Sequence, residues 1–210
     1  MFMLQLTNVK KAYNRYLVLD IPFLQLHSGI YWVKGPNGSG KTTLFKMVAG
    51  LLPFEGDILF KNTSLRRQPL VYRRMVSWAE AEPLYPAFLT GTEIISLYRD
   101  IRKVPQKEVE RLIDDFAVKA YVDNPIGTYS AGMTKKLSLM LAFLGDPPLI
   151  VLDEPLITLD AEALTSVCTY IGEKCKNSET VFLMSSHQEA DMGLLPAGNE
   201  LLIRDRTIFN

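Results

Sequence analysis

The chain has 210 residues, 48% hydrophobic and 22% charged, which excludes general disorder and suits one large domain or two unequal lobes. Lys plus Arg and Asp plus Glu both total 23, so no global positive field favours DNA or RNA, and no nucleic-acid partner is expected. The longest apolar region, 137–152, is broken by Gly145, Asp146, Pro147 and Pro148, and no cationic secretory leader opens the chain, so no membrane crossing is expected.

Alternating MLQLTNVKKAY and YLVLDIPFLQL predict two strands around a turn at Asn14, and HSGIYWVKGP predicts a short buried strand ending at a glycine loop. From Thr42 the period becomes helical, with Leu44, Phe45, Met47, Val48 and Leu51 on one broad face until Pro53. GDILF (Gly56 to Phe60) and RRMVSWA read as further strands. Thr90 and Glu93 have capping-box spacing ahead of IISLYRDIRK, and Pro105 suits the first helical position of PQKEVERLIDDF. Ser130 stands as N-cap before the apolar helical run LSLMLAFLG. Buried strands return in PLIVLDEP and ETVFLMSSH, separated by a helix near Ala161 to Lys176, with a last short strand in NELLIRD. Cys168 and Cys175 lie seven apart in that helix, too far for a disulfide, and read as reduced thiols of a cytosolic protein.

GPNGSGKT fills every position of G-x-x-x-x-G-K-[ST] through Gly35, Gly40, Lys41 and Thr42. Glycines let backbone N–H groups approach phosphate oxygens, and the following helix presents its positive end to the same anion. The loop Gly35, Pro36, Asn37, Gly38, Ser39, Gly40, Lys41, Thr42 and Thr43 is therefore expected to bind a nucleotide, with Lys41 bridging the β- and γ-phosphates and the Thr42 hydroxyl ligating Mg²⁺. An apolar strand delivers Asp153 to the sheet edge as the second Mg²⁺ partner, as the corresponding aspartate of P-loop proteins does. Glu154, beside it, is placed to activate water as general base. His187 ends SSH, where its imidazole can donate to the γ-phosphate.

The order phosphate loop, YSAGM, LDEP, ITLD, SSH resembles the ATP-binding cassette (ABC) ATPases over nearly the whole length. YSAGM, Tyr129 to Met133, is similar to the family's L-S-G-G-Q signature through Ser130 and Gly132, in a form like that of bacterial exporter ATPases; ITLD looks like the D-loop, ending at Asp160. The resemblance implies an α/β P-loop NTPase with a mixed-sheet core, an N-terminal antiparallel β region and an inserted α-helical lobe. The expected division is 1–79 and 146–210 for the core with its β region and 80–145 for the lobe.

What the resemblance further implies is a head-to-tail dimer, either a homodimer or a heterodimer with another ABC ATPase. Ser130 and the backbone near Ala131 and Gly132 would then contact the γ-phosphate of ATP held by the partner copy, while Asp160 couples the two sites and His187 positions the water of Glu154. Family position points to Tyr13 as the aromatic that stacks on adenine, ahead of Tyr16. The expected Mg²⁺-binding glutamine between the lobes is missing from VSWAEAEPLYPAFLT; Glu80 is its best positional match and Glu82 the second.

The expected function is the ATP-hydrolysing subunit of an exporter, cytoplasmic and peripheral on the inner face of the membrane beneath a separately encoded integral membrane permease. PLYPAFLTGTEII offers apolar side chains, Tyr85 and Phe88 among them, for a cytoplasmic helix of that permease. A soluble ABC ATPase of an assembly system, such as an iron–sulfur scaffold, is the alternative. A nucleotide kinase accounts for the phosphate loop but not for YSAGM, ITLD and SSH together.

Overall fold

The computed structural model describes residues 2–177, 179–186 and 195–209. β1 (Leu4–Tyr13) and β2 (Tyr16–Leu26) form the expected hairpin, with Asn14 in the left-handed region at φ 54°. β4 (Glu55–Phe60) pairs antiparallel with β1, and the two-residue β5 (Thr63–Ser64) pairs with β4, giving an antiparallel sheet of order β2-β1-β4-β5. Gly56 lets β4 cross the bulge at Asn8: its φ is 90°, and a Cβ would meet the Asn8 carbonyl oxygen at 2.2 Å.

A second sheet of six strands has the order β10-β9-β3-β8-β7-β6. It is built from β3 (Gly29–Lys34), β6 (Val76–Ala79), β7 (Leu149–Leu152), β8 (Val181–Ser185), β9 (Asn199–Arg204) and β10 (Thr207–Phe209). Its pairs are parallel except for the β9–β10 hairpin at the edge. The central strands are apolar throughout because both faces are covered, and their two-residue period divides each strand between two cores. Tyr31, Val33, Leu149, Val151, Val181 and Leu183 face a cluster shared with the antiparallel sheet and with α1 (Lys41–Val48). Ile30, Trp32, Ile150, Leu152, Phe182 and Met184 face a cluster shared with the helices that follow β6.

Those helices are α3 (Gly91–Arg102), α4 (Gln106–Asp115) and α5 (Ala131–Phe143), inserted between the neighbouring parallel strands β6 and β7. α6 (Ala161–Asn177) connects β7 to β8 and supplies Val167, Tyr170 and Ile171 to the same core. The capping box of α3 forms as expected: Glu93 N–H donates to Thr90 Oγ1, and Thr90 N–H donates to the Glu93 carboxylate.

Several boundaries differ from the pattern. α1 stops at Val48 rather than Pro53, because Gly50 at φ 73° accepts the left-handed conformation and its N–H bonds back to Met47 O. Pro105 is the N-cap of α4, at ψ 143°, and not its first helical residue. Arg73 and Arg74 of the expected strand RRMVSWA belong to a short helix, α2 (Pro69–Arg74), anchored by the buried Tyr72, whose hydroxyl donates to Val48 O. Of the apolar segment after β6, Tyr85 is packed against the helical core and hydrogen-bonded to Ser138, whereas Leu84 and Phe88 stay 91% and 79% exposed. Tyr85 is thus partly buried, with Leu84 and Phe88 more open beside it.

Phe182, fully buried at the centre of β8, holds the sheet against the helices. Phe182→Ala should cost about 3–5 kcal/mol of stability. Denaturant titration checks this, and a loss below ~1 kcal/mol would contradict its placement in a packed core.

Candidate active site

The phosphate loop joins β3 to α1. Gly35, at φ 154°, is required by contact: a Cβ there would lie 2.7 Å from Ser39 Oγ and 2.9 Å from Ile203 O. Gly40 is the N-cap of α1 in the left-handed conformation, with no side-chain cap and no acidic residue in the first turn. The first N–H groups of α1 are left for an external acceptor, as a bound phosphate would be. Ser39 Oγ is, among the described residues, the buried side-chain oxygen without a hydrogen-bond partner. Lys41 Nζ lies across its own loop, donating to Gly35 O at 2.7 Å and Pro36 O at 3.2 Å. Burial lowers the pKa of this ammonium, and the Asp153 and Glu154 carboxylates oppose that shift.

Asp153 follows β7 and is buried, 3% exposed. Both its carboxylate oxygens are engaged: Thr42 Oγ1 donates to Oδ2 at 2.7 Å, and Ser185 Oγ donates to Oδ1 at 2.6 Å. The same Ser185 oxygen accepts the Glu154 N–H at 2.9 Å. Parallel register explains the contact, since Leu152 lies opposite Met184 and the next residues on each strand are Asp153 and Ser185. Sequence reading placed the function of SSH on His187 and passed over Ser185; the signal was the shared strand end. His187 itself lies outside the described residues.

Thr42 Oγ1 and Asp153 Oδ2 are hard oxygens at one point and fit a Mg²⁺ ion, bound directly or through water. Glu154 sits at φ 48°, a left-handed conformation that costs an ordinary residue about 1–3 kcal/mol and is held here by the bond to Ser185. Asp153 is bonded to Thr42 and Ser185, and both acids line a cavity of about 430 Å³ with Tyr13, Asn37, Gly38, Lys41, Thr42 and Thr43. Tyr13 is 46% exposed at that cavity, with Lys11 Nζ 4.9 Å from its ring centroid. Pro36 and Ser39 line a separate space of about 300 Å³ beside Tyr16, so Tyr13 rather than Tyr16 shares the cavity of Lys41 and Glu154.

Glu80 follows β6, beside Asp153, whose N–H donates to Ala79 O at 2.9 Å. Its carboxylate accepts from Trp78 Nε1 at 3.2 Å and pairs with Lys46 Nζ at 3.5 Å, one helical turn beyond Thr42. The Glu80 carboxylate therefore has a cation beside it. Glu80 does not line the cavity of Asp153 and Glu154, and neither does Glu82.

At the start of α5, Met133 N–H donates to Ser130 Oγ at 3.2 Å, and Ser130 N–H donates to Met133 Sδ at 3.4 Å, a capping box with a weak thioether acceptor in the place of a carboxylate. Ser130 and Ala131 are exposed and, with Gly132, stand apart from the cavity of their own phosphate loop. Gly132 passes under ITLD: a Cβ would lie 2.9 Å from Thr158 O, itself in the left-handed region at φ 63°. Asp160 accepts from the Ala163 N–H at 2.9 Å and pairs with Lys136 Nζ at 2.6 Å, and these contacts hold its carboxyl below the usual range, the Lys136 bond first.

Ser185→Ala removes one oxygen that serves both Asp153 and Glu154. It should lower ATP turnover roughly 10–100-fold, the equivalent of one or two bonds to charged or buried groups, with the chain still folded. Steady-state ATPase rates at saturating Mg-ATP check this; an unchanged rate would mean that the Glu154 turn holds without its partner.

The family model described as ABC transporter matches residues 24–157. The chain is 30% identical over 180 residues to the cytochrome c biogenesis ATP-binding export protein CcmA of Pseudomonas syringae pv. syringae, covering 83% of this chain and 82% of the relative. It is 31% identical over 180 residues to CcmA of Legionella pneumophila strain Lens, covering 84% and 88%. A solved structure described as the ATP binding subunit of an ABC transporter superposes with a TM-score of 0.87 at 23% identity, covering 98% of this chain and 88% of that one, which shows the shared fold. The chain belongs to the ABC transporter family, as an ATP-binding subunit that hydrolyses ATP.

Proposed function

We propose that the subunit works as a head-to-tail dimer, with a second copy or with another ABC ATPase, and drives export through a separate integral membrane permease. It would lie on the cytoplasmic face of the membrane, held there by that permease. Among the described residues no helix is long and apolar enough to cross a membrane. The export names of the curated relatives favour this reading over an assembly ATPase. The division into a core, 1–79 and 146–210, and a helical lobe, 80–145, is part of the proposal, as is docking of a short permease helix near Leu84 and Phe88.

One observation carries the dimer: the exposed start of α5 stands outside the cavity of its own phosphate loop. A capped helix start with outward-facing donors suits a γ-phosphate presented by a partner chain. In this arrangement Tyr13 stacks on adenine, the N–H groups of residues 35–43 surround the phosphates, and Lys41 leaves its loop carbonyls for phosphate oxygens. Thr42 and Asp153 would hold Mg²⁺, which would neutralise phosphate charge when bound. Glu154 accepts the proton of the attacking water. Asp160 links neighbouring sites through the segment it anchors, and His187 is assigned the γ-phosphate contact. Once the γ-phosphate leaves, the bridge to Ser130 is lost and the dimer opens.

Glu154→Gln should bind Mg-ATP and accumulate as a dimer while turning over at least ~100-fold more slowly. Ser130→Arg should keep nucleotide binding by the monomer and lose ATP-driven dimerisation. Light scattering with nucleotide-binding titrations reads both. Undiminished turnover in Glu154→Gln removes it as the base, and monomer affinity falling together with dimerisation places Ser130 in its own chain's site.

A further inference from the structure

Lys135 lies one turn into α5, and its sequence setting suggests a surface lysine. It is instead 1% exposed. Its ammonium donates to Glu80 O at 2.7 Å, Asp153 O at 2.9 Å and Ala81 O at 3.2 Å. These three acceptors use all the donors an ammonium has, and they are backbone carbonyls. Both carboxylate oxygens of Asp153 are engaged elsewhere, by Thr42 and Ser185.

Such a site is costly to build. Burial pushes the Lys135 ammonium down to about 8, against the pull of the Asp153 and Glu154 carboxylates. A methionine in the same helix would fill the space without desolvating a charge. What the cation provides instead is a junction of three segments: the N-terminal turn of α5, the backbone just after β6 and the peptide that turns from Asp153 into the left-handed Glu154.

We propose that Lys135 is a positioning residue for hydrolysis: it holds the Asp153 carbonyl, and so the Glu154 turn, in register with the α5 helix start and with the backbone of Glu80 and Ala81. The inference rests on the reading of Glu154 as base and deepens it. Ser185 secures the Glu154 turn from the amide side, and Lys135 secures it from the carbonyl side. Through one side chain, the helix start that meets the partner's phosphate is tied to the acid that activates water in its own chain. With its three N–H groups given to Glu80, Ala81 and Asp153, Lys135 has no donor for the phosphate loop, so nucleotide affinity should be insensitive to it.

Lys135→Met and Lys135→Gln in the full chain test this, the amide of glutamine restoring part of the donor set. For Lys135→Met, kcat should fall about tenfold or more while KM and the dissociation constant for Mg-ATP stay within about threefold, and Lys135→Gln should recover part of kcat. Thermal melting identifies the folded fraction to which kcat is referred. The proposal is overturned if folded Lys135→Met keeps wild-type kcat. It is equally overturned if kcat, affinity and melting temperature fall together with glutamine no better than methionine, since that is the pattern of a merely structural contact. Slow Glu154→Gln beside a fully active Lys135→Met would reject the clamp and leave the base assignment standing.

Discussion

The buried carboxylate of Asp153 is the constraint on which the site depends. A charge that is 3% exposed needs donors on both oxygens, and it receives them from two different elements, Thr42 on α1 and Ser185 at the end of β8. The first contact spans 111 residues of chain and requires the phosphate loop to lie against the end of β7; the second spans 32 and requires β7 and β8 to be in register. The same contacts then fix where Glu154 goes, because its N–H shares Ser185 and its backbone is turned into the left-handed region. Two neighbouring acids acquire different environments from one turn.

A second layer of order comes from α5, whose first two turns carry Ser130, Lys135 and Lys136. The exposed serine caps the helix, while the two lysines reach different partners: Lys135 the peptides around Asp153 and Glu80, Lys136 the Asp160 carboxylate. Gly132 allows the helix to pass within contact of Thr158 O. The helix that faces a partner copy in the proposed dimer is thereby fastened to the Asp153–Glu154 turn and to the start of α6. Glu80 shows the same economy, its extra charge set against Lys46 and the indole N–H of Trp78.

Motifs whose chemistry demands particular residues were legible in the sequence: the glycines and Lys41 of the phosphate loop, Asp153 at a strand end, Ser130 as N-cap, and the Thr90–Glu93 box. The inserted helices also followed, from the contrast between continuous apolar strands and helical periods, while the mixed sheet was implied by the family resemblance. Boundaries set by local φ or tertiary contact did not, as with the end of α1 at Gly50, the helical Arg73 and Arg74, and the edge strand β10. Ser185 and Lys135 were illegible for a different reason: their partners are backbone groups and carboxylates remote in sequence, and a serine or lysine carries no periodic sign of burial. Tyr85 shows the converse, an aromatic that pattern alone offers to a partner and that packing draws partly against the helical core.

In the proposed dimer the nucleotide is completed by two chains, the phosphate loop of one and the α5 start of the other. The most direct test mixes Lys41→Ala with Ser130→Arg, each purified alone and then exchanged into common dimers. Shared sites predict that the mixture regains ATP turnover above either variant by itself, because one of the two sites then combines an intact phosphate loop with an intact helix start. A mixture no more active than the separate variants, with exchange verified by differently labelled copies, would place each complete site within a single chain and contradict the account.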